Sequence, residues 1–348
     1  MEIPPVSGDN GDSSKPGFRV LPREIRDEIY GYYFTLEDGY TFNSKTKKLH
    51  PTCKLKNSLA LTLANKQINQ ETQGLALERN TLHFATSFAL ETSDTLGMFD
   101  YLLKYISTTQ SRLLLRLIAK SNWVACQAYA HVEKHYPRFL PIVNHARDGN
   151  YDDLSADNKC WKETPSIARA FVQETLHSVV GHEKFPKLPA RDLGPSMEHF
   201  TVANAHFEAW RVPTKDEVEN LAFRTHQIPS AEALSARAPV HPDSDDFDRI
   251  KFWNGEKHRS SAASLAIQFI QSLEETSRVK IRSVVLNEDQ ISVAWPESHG
   301  RGFIPICQEN PQIRIKRRVN LWGNATMDPQ QANVCTPDSL VTNVSPSG

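Results

Sequence analysis

The chain has 348 residues, of which 39% are hydrophobic and 23% charged, a composition typical of a globular protein with polar extensions. Its formal net charge of −1 removes the overall electrostatic argument for nucleic acid or an anionic membrane as a partner. There is no long apolar run and no apolar signal segment at the start, so we expect no membrane span and a cytoplasmic or nuclear location. Five widely spaced cysteines without a CxxC pair predict neither a zinc site nor a disulfide framework.

Composition and periodicity divide the chain into five segments. Residues 1–17 and 324–348 are polar, rich in Pro and Ser and without periodicity, which predicts disorder. Between them we expect a helical module at 18–84, a helical middle region at 85–238 and an α/β layer at 239–323. These segments together predict the α+β class.

The first predicted element is an amphipathic helix in "RVLPREIRDEIYGYYF". Leu21, Ile25 and Ile29 recur at a spacing of four residues, while Arg26 is expected on another, polar face. Pro22 lies near the first helical position, where its missing N–H costs nothing. A stripe of this kind is buried in its own domain by default, and binding of a partner is the alternative.

A second helix is predicted at 57–79, after a hairpin-like polar segment at 35–51. Asn80 is expected to end this helix, because its apolar period stops there. "TLHF" then predicts a short strand with Leu82 and Phe84 on one face.

"LGMFDYLLKYISTTQSRLLLRLIAKSNWVACQAYAHVEKHY" in the middle region predicts one or two amphipathic helices, and two further stretches are helical. "TPSIARAFVQETLHSVVGH" is typical of an amphipathic helix with Pro165 in its first turn. Its expected inner face consists of Ile167, Phe171, Leu176 and Val179. "TKDEVENLAFRTHQI" begins with Thr214 followed three residues later by Glu217, which is a capping-box pattern. We interpret "PSAEALSARAPVHPDSDDFD" as an exposed linker.

The last folded segment alternates helix and strand. "SAASLAIQFIQSL" predicts a helix packed on a sheet, and "VKIRSVVLNED" predicts a strand buried on both faces. "QISVAW" predicts a second short strand and "ESHGRGFIPICQEN" a short helix. "QIRIKRRVNLW" predicts a half-exposed strand with Ile313 and Ile315 inward, whose basic face guards a sheet edge or serves nuclear import.

The first two helical stretches together carry a family resemblance. "LPREIRDEIYGYYF" followed by "LANKQINQETQGLALERNTLHF" resembles the fungal F-box-like proteins, whose function is uncharacterised. The matching residues are Leu21, Pro22, Glu24, Ile25, Arg26, Ile29, Tyr30, Lys66, Gln67, Ile68, Glu71, Asn80, Thr81 and Phe84. The second half differs from ordinary F-box sequences, because "ANKQINQETQGL" stands where Val-Cys-Lys-x-Trp is usual.

The resemblance implies a fold and a partner. It implies an F-box-like helical module, whose first helix packs on the linker subunit of a Skp–cullin–F-box ubiquitin ligase, and a C-terminal α/β layer with leucine-rich-repeat-like character that chooses a protein substrate. The linker-facing residues would be Leu21, Pro22, Ile25 and Ile29. The function expected is therefore that of a protein–protein interaction adaptor. A helical scaffold protein with no ligase link is the alternative, since the same stripe is equally suited to a purely structural helix pair.

Metal chemistry has weak candidates. His131 and His135 lie four residues apart, but Glu133 is displaced from the HExxH pattern, and only Cys126 and His145 are near enough in sequence to complete a zinc site. A second histidine pair is His177 and His182, and an acidic run extends over 243–248. The pair is five residues apart and the run lacks the calcium-loop pattern, so neither predicts a metal site.

Acid–base chemistry has one candidate. Glu288 and Asp289 follow a buried strand, at the edge where α/β sheets bind ligands, and His299 is close in sequence. These residues make a small-ligand binder or hydrolase the third functional alternative, although acids at strand ends are also ordinary turn residues. No phosphate-binding loop or nucleophile elbow is present, so the sequence assigns no catalytic residue, no metal and no cofactor.

Overall fold

The computed structural model describes residues 18–53, 59–149, 161, 163–185, 203–205, 208–224 and 258–320. It shows a mixed α+β protein with one five-stranded sheet in the order β2-β1-β3-β4-β5. The strands are β1 Tyr40–Asn43, β2 Lys48–Pro51, β3 Thr81–Ala85, β4 Ser283–Glu288 and β5 Arg314–Val319. The predicted tails, the linker and the acidic run at 243–248 lie outside the described residues.

The described helices flank this sheet or form a separate bundle. They are α1 Arg23–Phe34, α2 Lys66–Thr72, α3 Leu75–Arg79, α4 Leu90–Lys120, α5 Asn122–His135, α6 Leu140–Arg147, α7 Pro165–Val180, α8 Lys215–Arg224, α9 Ala262–Ser272, α10 Glu275–Arg278 and α11 Ile304–Glu309. Short 3-10 helices cover Phe18–Val20, Leu59–Leu63, Pro137–Phe139 and Pro296–Phe303. None of the described helices is both long enough and apolar enough to cross a membrane.

The sheet combines strands from the N-terminal and the C-terminal parts of the described chain. The β1–β2 hairpin is antiparallel, whereas β3 runs parallel to both β1 and β4, and β5 runs parallel to β4. Because β3 begins at Thr81 and β4 at Ser283, the predicted N-terminal module and the predicted C-terminal layer contribute strands to one sheet. Tyr40, Leu82 and Phe84 of the module accordingly share a core with Val284 and Leu286 of the layer.

That core lies between the sheet and α9. Leu82 and Phe84 of β3 lie beside Val284 and Leu286 of β4, and all four side chains face α9. The helix N-caps at Ser261, whose hydroxyl accepts the N–H of Ser264. Its buried side chains on this core are Ala262, Ala263, Leu265, Ala266, Ile267 and Ile270. The prediction of an apolar helix packed on a buried strand is thus confirmed.

The helical middle region has its own core, formed by α4 to α7. Phe171 of α7 is fully buried and stacks on Phe139, with ring centroids 4.2 Å apart. Leu176 and Val179 are also buried, as predicted. Ile167 is 43% exposed, so its predicted place on the inner face is wrong. It lies in the first turn of α7, where its neighbour Ala168 is the side chain that turns inward.

Backbone geometry explains two further differences from the sequence predictions. The helix expected at 57–79 is interrupted between α2 and α3, because Gly74 adopts a left-handed φ of 80°. "QISVAW" forms no strand, since Ala294 and Trp295 have positive φ angles of 63° and 59°. The capping box is confirmed: the Thr214 hydroxyl accepts the N–H of Glu217, and the Glu217 carboxylate accepts the N–H of Thr214.

Candidate functional site

Helix α1 presents two different faces. Arg26, Tyr30 and Phe34 recur every four residues and are buried. Tyr30 and Phe34 pack with Ile68 of α2, and the ring of Phe18 lies 5.7 Å from that of Tyr30. The face that holds α1 to its own domain is therefore built from two aromatic rings and an arginine.

A half-buried carboxylate, that of Glu71, joins this face to α2. Glu71 Oε1 accepts from Arg26 Nη2 at 2.7 Å, and Oε2 accepts from Arg26 Nε at 3.0 Å and from Tyr30 Oη at 2.7 Å. Arg26 and Tyr30 together lower the pKa of Glu71 to about 2, the Arg26 hydrogen bond being the larger cause. Gln67 donates to the same carboxylate. Arg26 and Tyr30 of the first sequence stretch are thus bound to Glu71 of the second.

Hydrogen bonds of the Asn80 side chain make a second connection between the end of α1 and the sheet. Its side-chain oxygen accepts the Leu36 N–H at 2.7 Å, and its amide donates to the carbonyls of Phe34 at 2.6 Å and of Ala76 at 2.8 Å. Phe84 is buried in the core of the sheet, and Lys66 is exposed at the start of α2. Apart from Lys66, the residues that define the second stretch therefore hold the domain together.

The predicted partner-binding residues lie on the other face of α1 and immediately before its first residue. Leu21, Ile25 and Ile29 are 36%, 44% and 37% exposed, and Tyr33, four residues after Ile29, is 37% exposed. We call these four side chains the exposed stripe. Pro22, the N-cap of α1, is also exposed. Burial in its own domain, the default for a stripe of this spacing, is wrong here, because Arg26 and the aromatic residues occupy the inward face.

Tyr33 was missed by sequence reasoning, although it continues the four-residue spacing of the stripe. Arg26 was placed on a polar face, because an arginine without its partner is read as solvated. Its partner Glu71 is 45 residues away along the chain, so only the tertiary structure brings the two together.

No family model, curated protein or solved structure matches this chain.

Of the acid–base candidates, Glu288 contacts the start of α9 and not a substrate site. The Glu288 carboxylate, 3% exposed, accepts the N–H groups of Ala262 and Ala263 at 3.2 Å each. It also accepts the hydroxyl of Thr86 at 3.1 Å. These bonds satisfy free N–H groups at the start of α9 and place a negative charge at the positive end of the helix dipole. Asp289 is exposed, so the two carboxylates do not converge.

His299 is buried and bonded through both ring nitrogens. Its Nε2 lies 2.6 Å from the carbonyl oxygen of Ala294, which can only accept, so Nε2 carries the proton. Nδ1 therefore accepts a hydroxyl proton from Ser261 at 2.6 Å or Ser264 at 3.0 Å. Burial lowers the pKa of His299 to about 4. The ring is a neutral connector between α9 and the segment that follows β4.

This Ser–His arrangement leaves no room for a substrate. The cavity beside Ser261 and His299 has a volume of about 10 Å³, space for about one water molecule. Ser261 is 1% exposed and caps α9. A nucleophile and its base need an adjoining site for the reacting atom, so the geometry gives Glu288 and His299 structural roles, whereas Asp289 is exposed.

The histidine pairs do not assemble a metal centre. The rings of His131 and His135 lie 4.8 Å apart, but no cluster of three or more His, Cys, Asp or Glu occurs in the described part of the chain. Burial is the main cause of a lowered pKa at His131. His182 packs against the indole of Trp123, and Cys126 is exposed.

The neutral state of His299 predicts a specific pH dependence. Its pKa is about 4 in the folded chain against an ordinary 6.5, so its contribution to stability is complete above pH 6.5 and is lost progressively as the pH falls from 6.5 to 4. Between pH 7 and pH 4.5 the wild type should lose roughly 2–3 kcal/mol more than His299→Gln in the free energy of unfolding. Urea unfolding at both pH values measures this difference. Parallel losses in the two proteins would contradict it.

Proposed function

We propose that this chain is a protein–protein interaction adaptor whose exposed stripe binds the linker subunit of a Skp–cullin–F-box ubiquitin ligase. The observation that supports the proposal is that the two faces of α1 make different contacts. Arg26, Tyr30 and Phe34 fix the helix to its own domain, and the stripe points away from it. The resemblance of both sequence stretches to fungal F-box-like proteins supports the identity of the partner.

The geometry of the stripe suits a helix that packs into a groove or against another helix. Ile25, Ile29 and Tyr33 lie four residues apart on one face of α1, and Leu21 immediately precedes its N-cap. Apolar side chains three or four residues apart on a helix are the usual anchors of helix recognition. The bidentate bond from Arg26 to Glu71 holds α1 in place before binding. A partner would therefore bury apolar surface without having to order the helix, which lowers the entropic cost of association.

The remaining parts of the adaptor are proposed on the same resemblance. The N-terminal segment would be the F-box-like module, and the C-terminal layer, with its leucine-rich-repeat-like character, would offer the surface that selects a protein substrate. The described part of that segment contains α9, α10, β4, α11 and β5.

The test is capture of purified linker subunit by the immobilised full-length protein. The double variant Ile25→Asp and Ile29→Asp should raise the Kd by roughly a hundredfold, because two apolar anchors would each bring a charge into the interface. Leu90→Asp is the matched control, since Leu90 is an exposed apolar side chain at the start of α4, 77% exposed. It should leave the Kd unchanged.

The substituted side chains are exposed, so circular dichroism and the melting temperature should stay at wild-type values. A change in the Kd of either variant can then be assigned to the binding surface and not to unfolding. A folded wild type that never retains the linker subunit would overturn the ligase link and favour the helical scaffold. Equal loss of binding in Leu90→Asp would show that capture does not depend on the stripe.

A further inference from the structure

Edge strand β5 places its charges on one face. Its odd-numbered residues face α9: Ile315 packs on the core, and Arg317 donates to the Pro296 carbonyl at 2.9 Å. Arg314, Lys316 and Arg318 alternate with them and are all exposed on the opposite face. We call these three side chains the basic row.

The neighbouring strands place no negative charge in register with the basic row. Within the described residues, none of its three members forms an ion pair. Their register partners on β4 are Ser283, Val285 and Asn287, and next to these on β3 lie Thr81, His83 and Ala85. Neither set contains a carboxylate. Burial is the main cause of a lowered pKa at His83, and the positive charge of Arg318 is the next.

The main chain of β5 also has an open edge. The N–H of Arg314 donates to Arg282 O at 2.8 Å, and that of Asn320 donates to Glu288 O at 2.9 Å. Even-numbered residues therefore direct their N–H groups towards β4, and the odd-numbered ones direct theirs outward. In the described part of the chain β5 has one strand neighbour, β4. Such an edge is a template for an additional strand.

We propose that β5 binds an extended acidic segment of a protein substrate, which adds to the sheet as a sixth strand and places every second side chain, Asp or Glu, against the basic row. The inference deepens the adaptor function and rests on it for its biological meaning. Main-chain hydrogen bonds would supply affinity, and the alternating carboxylates would supply specificity.

The spacing of the charges favours a strand as the ligand. Side chains on one face of a strand repeat every ~6.6 Å, and a paired strand repeats at the same interval, so each carboxylate can meet one cation. The residues between the acids would lie beside Ile315, Arg317 and Val319, of which Val319 is 47% exposed. An alternation of Glu with Val therefore fits the edge on both faces.

A single-stranded nucleic acid fits this face less well. Such ligands need aromatic side chains on which bases stack. The register positions beside the basic row carry Ser, Val, Asn, Thr, His and Ala, without an aromatic side chain other than the His83 ring. The chain as a whole is not cationic, with a net charge of −1.

The test uses the full-length protein and labelled peptides in fluorescence anisotropy. The alternating peptide Glu-Val-Glu-Val-Glu-Val-Glu should bind at least about tenfold more tightly than Glu-Glu-Glu-Glu-Val-Val-Val, which has the same composition. The triple variant Arg314→Gln, Lys316→Gln and Arg318→Gln should raise the Kd about tenfold. Methylation of the peptide main-chain nitrogens should abolish binding, because an added strand needs those donors.

The matched control removes the same charge elsewhere on the sheet. Lys45→Gln, Lys47→Gln and Lys48→Gln change exposed lysines of the β1–β2 hairpin and should leave the Kd unchanged. Equal affinity for the two peptides, equal loss in the control, or an oligonucleotide that binds where neither peptide does would each overturn the inference. The basic row would then serve only to guard the edge against aggregation.

Failure here is distinguishable from failure of the ligase link. Linker capture depends on the exposed stripe, so the β5 triple variant should capture the linker subunit normally. Peptide binding by a protein that never retains the linker subunit would overturn the ligase link and support the β5 site. Linker capture without any peptide binding would support the ligase link and overturn the β5 site.

Discussion

Replacing Glu288 with Ala is expected to lower the free energy of unfolding by roughly 3–5 kcal/mol. The substitution removes the acceptor for the N–H groups of Ala262 and Ala263 and leaves them buried without a partner. It also removes the acceptor for Thr86 and the negative charge at the positive end of α9. Urea denaturation followed by circular dichroism measures the change.

Asp289→Ala is the matched control, because Asp289 is the next residue in the chain and is exposed. It should change the free energy of unfolding by no more than about 0.5 kcal/mol. A pair of catalytic acids would behave differently: both substitutions would then be nearly neutral for stability. Equal, small effects of the two substitutions would contradict the structural role of Glu288.

Phe171→Ala is expected to cost roughly 3–5 kcal/mol of the free energy of unfolding. The ring is fully buried, stacks on Phe139 at 4.2 Å and meets Trp161 edge to face at 5.7 Å. Its removal leaves a cavity between α7 and its neighbours that rigid aromatic rings cannot fill.

Ile167→Ala tests the same helix one turn earlier. Ile167 is 43% exposed, so this substitution should cost less than about 1 kcal/mol. Thermal unfolding of the two variants beside the wild type gives the comparison. A cost at Ile167 similar to that at Phe171 would mean that the inner face predicted from the sequence is right and the observed one wrong.

Much of the secondary structure could be predicted because its causes are local. The capping box at Thr214, the apolar stripe of α9 and the buried run of β4 depend on residues a few positions apart. The charged alternation of β5 likewise identified a half-exposed strand. "QISVAW" misled because alternation cannot reveal the left-handed backbone at Ala294 and Trp295.

The candidate sites could be predicted only in part. Leu21, Ile25 and Ile29 were recognised as a set, but their direction depends on which face of α1 the rest of the chain can satisfy. Glu288 and His299 were recognised as unusual polar residues, but burial and the start of α9 decide what they do. A sequence pattern identifies such residues and leaves their partners open.

The α+β class, most helix and strand positions, and the spacing of the apolar and basic rows could be read from the sequence, since they follow from short-range periodicity. The direction of α1, with Arg26 inward and the isoleucines outward, depends on long-range packing. A buried arginine is stable only beside an acceptor. That acceptor, Glu71, comes from a helix 45 residues further along the chain.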